Sequence, residues 1–131
     1  MKEIINNEIE IEYPESFYLM DSEELAKYFS SASNRKGFRN SDQHMIISIG
    51  WTAELNFLTG ALVTCRSFIS SYDKRSTSAL VNYKREETLS KEIGGKAATG
   101  FSYSYDARDT GVRHTAKIFT VKLGKRIYII E

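Results

Sequence analysis

From Ile93 to the end of the chain, apolar and polar residues alternate between turn signals. Phe101, Tyr103 and Tyr105 alternate with Ser102 and Ser104, and after Asp109-Thr110-Gly111 the residues Phe119, Val121 and Leu123 alternate with Ile118, Thr120 and Lys122. Gly124-Lys125 breaks the run again before Ile127-Tyr128-Ile129-Ile130. Period two between turn residues predicts an antiparallel meander with one face on a core. Nearer the N-terminus, Ile9, Ile11 and Tyr13 alternate with Glu8, Glu10 and Glu12, which predicts a half-buried strand ended by Pro14. Phe17 to Met20 reads as a short second strand. Gly37 to Trp51 returns to strand, with Met45, Ile47, Ile49 and Trp51 on one face and His44, Ile46 and Ser48 on the other. Asn40-Ser41-Asp42 supplies the turn before it, because Asn, Ser and Asp bond their own backbone in turns.

Two segments change period from two to 3.6. Asp21-Ser22-Glu23-Glu24 offers an N-cap with a capping-box acid, and Leu25, Tyr28, Phe29 and Ala32 follow at helical spacing. Further on, Cys65, Phe68, Ile69, Tyr72, Ser76, Ala79, Leu80 and Tyr83 fall at steps of three and four. That spacing predicts a main helix over roughly 64–86, with Thr64 as cap and Lys84 and Arg85 at its negative end. Segment 53–63, with Gly60, reads as a loop or a single helical turn. The fold class is therefore α+β: one domain with an antiparallel sheet of about five to seven strands packed against helices.

Composition narrows the class. With 131 residues, 41% apolar and 27% charged, the chain suits one globular domain and not a disordered one. No apolar stretch approaches the roughly 20 residues that cross a bilayer. The N-terminus has neither the basic start nor the apolar run of a secretory signal, and Cys65 is the only cysteine, so a cytoplasmic protein is expected. The net charge of +1 conceals an acidic start: residues 1–24 carry eight acids against Lys2 alone. Either that edge steers a basic partner, or acidic and basic strands lie side by side and neutralise one another. A charge near zero argues against a nucleic-acid footprint.

Four stretches carry a family resemblance. They are Ile9-Glu10-Ile11-Glu12-Tyr13-Pro14; Gly37-Phe38-Arg39-Asn40 with His44-Met45-Ile46-Ile47-Ser48-Ile49-Gly50-Trp51; Ile93-Gly94-Gly95-Lys96-Ala97; and Gly100-Phe101-Ser102-Tyr103-Ser104-Tyr105. Together they resemble the PsbP-like (Mog-type) fold, shared by photosystem accessory subunits, a nuclear-import factor acting on the Ran GTPase, and many uncharacterised bacterial proteins. The resemblance implies an antiparallel sheet sandwiched by helices and a role in binding other proteins, in some bacterial relatives as adaptors or chaperones for secreted effectors. Relatives continue into a C-terminal helix for which this chain has no counterpart.

Candidates for chemistry are few. Arg39, Asp42 and His44 form the densest polar cluster, and with the distant His114 they are candidates to line a small acidic-ligand site. A His–Asp pair is the minimum for base catalysis, yet it needs a nucleophile or water in reach, and turn polarity beside a half-exposed strand histidine accounts for the same residues. Cys65 lies on the apolar helix stripe, where cysteine is usually an inert small hydrophobe. Two histidines and one cysteine, at 44, 114 and 65, match no metal-ligand spacing. Gly94-Gly95-Lys96 lacks the P-loop pattern, and a hairpin turn explains it. No cofactor, metal or enzymatic activity is expected. Core packing suits Phe101 and Tyr103, while Tyr105 suits a partner-facing position.

The leading expectation is a non-enzymatic protein-binding module of adaptor or chaperone type. The alternative is a small-ligand-binding domain with weak chemistry around Arg39, Asp42 and His44. The last strand is apolar on both faces, with Tyr128 and Ile130 opposite Ile127 and Ile129. Such a strand demands cover on both sides, so a second copy or a partner protein is expected over a face centred on Tyr128 and Ile130.

Overall fold

The computed structural model describes residues 2–29, 34–40, 42, 45–52, 65–108, 110–124 and 126–131. Among them, positive φ is confined to glycine and asparagine, and these residues set the corners of the chain. Asn6 and Asn7 join β1 (Lys2–Ile5) to β2 (Ile9–Glu12). The short strand β3 (Tyr18–Leu19) follows, then helix α1 (Ser22–Tyr28). Asp21 caps α1 by accepting the Glu24 N–H at 2.9 Å. The Glu24 carboxylate does not complete a capping box, because the Tyr18 hydroxyl donates to it at 3.0 Å.

The strand region read over Gly37 to Trp51 is two antiparallel strands, β4 (Arg35–Asn40) and β5 (Met45–Trp51), and the Asp42 N–H donates to the Asn40 side chain where the turn was expected. Segment 53–63 and Thr64 lie outside the described residues. The main helix α2 runs Cys65–Ala79 and not to residue 86; Val81–Ile93 is strand β6. The switch has a local cause. Asn82 takes φ 51°, which no helix tolerates, and from Val81 the chain pairs along β7 (Lys96–Asp106), which supplies long-range backbone partners. Leu80 and Tyr83 still pack on the cluster under α2, so the apolar stripe is real although its last turn is strand. Arg85 therefore caps no helix; it lies 4.6 Å from the Phe101 ring and pairs with Asp73 at 3.0 Å.

The meander closes with β8 (Arg113–Leu123) and β9 (Arg126–Ile130). Gly94 and Gly95, at φ 57° and 75°, make the two-residue β6–β7 turn, the left-handed geometry that suits the twist of a hairpin. The antiparallel sheet has seven strands in the order β3-β4-β5-β9-β8-β7-β6, and β1-β2 forms a separate two-stranded sheet. The fold is α+β.

Each face of the large sheet has its own core. On one, Ile69 of α2 meets Phe101, Tyr103 and Ile118, and Leu25 of α1 sits over Gly37. On the other, Ile5, Phe17, Phe38, Ile49, Val121 and Tyr128 are buried together, with Ile9, Ile11 and Tyr13 packed on them. The β1-β2 hairpin thus covers the face opposite the helices. This overturns the expectation of an uncovered face centred on Tyr128, which is 0% exposed within its own chain. The hairpin is held there by polar contacts as well. Glu8 accepts from Arg126 at 2.6 Å and from the Tyr128 hydroxyl at 2.8 Å. Lys36 reaches Glu3 at 2.7 Å, and Lys2 pairs with Glu10 and Glu12. Much of the acidic start is neutralised inside the molecule.

Candidate functional site: a cleft between two strand edges

Strand lengths create the site. β9 has five residues, between a β5 of seven and a β8 of eleven. It pairs with Ile49–Trp51 on one side and Phe119–Leu123 on the other. Ser48 and Glu131 add a last pair, exchanging backbone bonds of 2.8 and 2.9 Å. Past that point β5 keeps only β4 as neighbour, β8 keeps only β7, and no pairing joins β5 to β8 among the described residues. A cleft of about 1010 Å³ occupies this fork.

Cross-strand partners share a face, so the register assigns the walls. Tyr105 opposes His114 and Tyr103 opposes Ala116, on the helix side. Arg39 opposes Ile46 on the same side, next to Tyr28 of α1. Ile47, Phe119, Ile130 and Lys117 line the cleft from the opposite side. Along the floor runs an aromatic stack. His114 lies 5.6 Å from Tyr105 at an interplanar angle of 18°, and Tyr105 lies 5.9 Å from Tyr103 at 25°.

At the head of the cleft the Glu131 carboxylate accepts hydrogen bonds from the Tyr103 and Tyr72 hydroxyls, both at 2.8 Å, and those hydroxyls are 3.2 Å apart. Burial, with the Glu131 charge second, holds both phenols well above their ordinary range. Tyr105 shifts the same way for the same two reasons. These hydroxyls are donors locked in the protonated form, which suits positioning and excludes them as bases near neutral pH. Arg39 is also occupied: its guanidinium lies 5.1 Å from the Tyr28 ring and 3.9 Å from Glu24.

Of the residues singled out in the sequence, the cleft gathers Arg39, Tyr105, His114 and Ile130. Asp42 is exposed in the β4–β5 turn and is not among the lining residues. His44 lies outside the described residues. Tyr128 faces the opposite core, bonded to Glu8 and Asn6. Glu131 and Lys117 received no role from sequence patterning, and Ile46 only a place on the strand face of His44 and Ser48; what brings them together is that β9 is shorter than both of its neighbours. Among the described residues no group of three His, Cys, Asp or Glu side chains is placed to hold a metal. A second hollow of about 530 Å³ beside Cys65, Lys96 and Lys122 brings no acid–base pair together.

No protein-family model matches the chain, and no curated protein matches it. Its fold is similar to that of PA94 from Pseudomonas aeruginosa, a protein of unknown function, with a TM-score of 0.52 at 11% identity. That similarity covers 99% of this chain and 78% of the other. At such identity the likeness speaks for the fold alone.

Proposed function

We propose that this chain is a protein-binding module of the PsbP-like type, an adaptor or chaperone without catalytic activity, working in the reducing cytoplasm that its lone Cys65 suits. The observation that carries the reading is the open fork between β5 and β8. It presents aromatic and aliphatic side chains around unpaired strand edges, a surface rich in the residue types that anchor protein interfaces. Two of the polar groups near it are engaged already, Glu131 with two phenols and Arg39 with Glu24 and Tyr28. Where a hydroxyl meets a carboxylate there, at Tyr103 and Glu131, burial keeps the phenol protonated, which suits a fixed donor better than an activated nucleophile. A second reading, a small anionic ligand held by Arg39 and His114, draws on their shared place in the cleft; Asp42 takes no part in it.

Photo-crosslinking tests the reading. With p-benzoylphenylalanine at position 105, a discrete protein adduct should form in an extract of the native cell. The same group at position 128 should give none, because Tyr128 is buried. Turnover of an ester, phosphate or nucleic-acid substrate that Arg39→Ala or His114→Ala abolishes would overturn it.

A further inference from the structure

The fork in the sheet is bounded by two strand edges at a fixed separation. β5 and β8 both pair with β9, so they stand roughly 10 Å apart at its end, twice the strand spacing of about 4.8 Å. Antiparallel pairing alternates which residues aim their backbone at a given neighbour. Ser48 bonds Glu131, so Ile46, two residues earlier, aims its N–H and C=O into the gap. Leu123 and Arg126 close a two-residue hairpin, so Phe119 aims its backbone at β9, where it pairs with Ile130, and by the same alternation Lys117 and Thr115 face the gap from β8. Among the described residues, the backbone groups of Ile46 on one side and of Lys117 and Thr115 on the other therefore confront each other across the width of one strand. An extended polypeptide has the geometry to satisfy both sides at once.

We propose that the fork receives an extended segment of a partner protein as an eighth strand of the sheet, in line with β9 and antiparallel to both β5 and β8. This deepens the protein-binding reading and rests on it. The outer edges of the sheet are poor alternatives. β3 has two residues, and β6 carries Lys84, Arg85, Glu86 and Glu87 and two register shifts, devices that discourage strand addition. The fork has neither charge runs nor bulges on its edges.

Its chemistry also selects the occupant. Lys117 is the charged side chain carried on the gap's own edges, on β8; Arg39, one strand away on β4, is already paired with Glu24. Glu86 and Glu87 reach the cleft from β6, two strands off, and Glu131 at the head is already held by two hydroxyls. Ile46, Ile47 and Met45 supply apolar flanks on β5. The segment that fits is β-forming and mixes apolar with acidic residues.

The test uses the purified chain and a blocked octapeptide of alternating Val and Glu, followed by amide NMR. Saturable shifts and new exchange protection at Ile46, Thr115 and Lys117 are expected. A Val/Lys peptide should bind about tenfold more weakly, because like charges then meet across the interface. Lys117→Pro should abolish the shifts at Ile46 without costing a ladder bond, since the amide it removes faces the gap. Lys117→Glu, which keeps that amide, should reverse the preference between the two peptides. No saturable shift at the three amides, or shifts along β6 instead, would overturn the proposal. Protection of the three amides in a peptide-free dimer would overturn it in favour of a second copy. If adducts form at position 105 while the peptides leave these amides unmoved, strand addition fails and the binding reading stands.

Discussion

The Glu131–tyrosine cluster is the contact most open to measurement. Replacing Glu131 by Ala removes the acceptor for two hydroxyl donors at 2.8 Å, and Tyr103 is only 2% exposed. A hydrogen bond to a charged group contributes about 1.5–3 kcal/mol when fully buried. Glu131 is half-buried, so water offsets part of each bond and about 2 kcal/mol is expected for the pair. Tyr103→Phe removes one of those bonds and leaves Tyr72 donating to Glu131, which should cost about 1 kcal/mol. Because both substitutions delete the same Tyr103–Glu131 bond, the double variant should be less destabilised than the sum by about 1 kcal/mol. Urea unfolding of the four proteins, followed by far-UV circular dichroism, gives the coupling directly. For a chain of this length Glu131→Ala should lower Tm by about 6–10 °C. A coupling within about 0.3 kcal/mol of zero would refute the reasoning, since independent sites add to that tolerance.

Gly124→Ala should destabilise by about 1–2 kcal/mol from its left-handed φ of 59° alone. The new methyl also collides with the Glu8 carboxylate, so Glu8→Ala in the same chain should recover part of the loss. Alkaline pH should unfold the protein cooperatively. Burial raises Tyr103 and Tyr72 above the ordinary 10.0, so folding keeps protons that the unfolded chain releases; stability is whole below pH 10 and falls as pH climbs beyond it. Tyrosinate absorbance and circular dichroism should change together for these buried phenols, whereas all eight tyrosines titrating in one step with the dichroism unchanged would contradict the burial. Asp106 works in the opposite direction. Hydrogen bonds from Asn82 and Arg113 lower its pKa, so its contribution is lost as pH falls through that lowered value, and Asn82→Ala should weaken this acid dependence.

Alternation was a faithful guide wherever one face is buried and the other wet. Phe101 and Tyr103 turn inward as their spacing predicts, and Ile9, Ile11 and Tyr13 pack on a core while Glu10 and Glu12 stay exposed. It misled at Leu80 and Tyr83. There an apolar residue every third or fourth position continues the helix stripe, yet both side chains reach the same core from a bend and a strand, and tertiary pairing with β7 overrode the period. β1 left little trace because Lys2-Glu3-Ile4-Ile5 sets two charged residues before two apolar ones and so does not alternate. Without β1 the cover over Tyr128 was invisible, which is why an exposed face was expected. The cleft was legible only in part. Tyr105 and Arg39 stood out by type, but their meeting depends on which strands flank β9, and strand order is not written in local pattern.

Amide hydrogen exchange on the isolated chain tests the forked sheet most directly. Ile46, Thr115 and Lys117 should exchange quickly, while their immediate neighbours Ile47, Ala116 and Ile118, which face β4 and β7, should be protected by pairing within the ladder. That residue-by-residue alternation on both β5 and β8 is the predicted result. Equal protection at all six amides would mean that the two edges are already paired, and the cleft would not be the open strand-receiving site described.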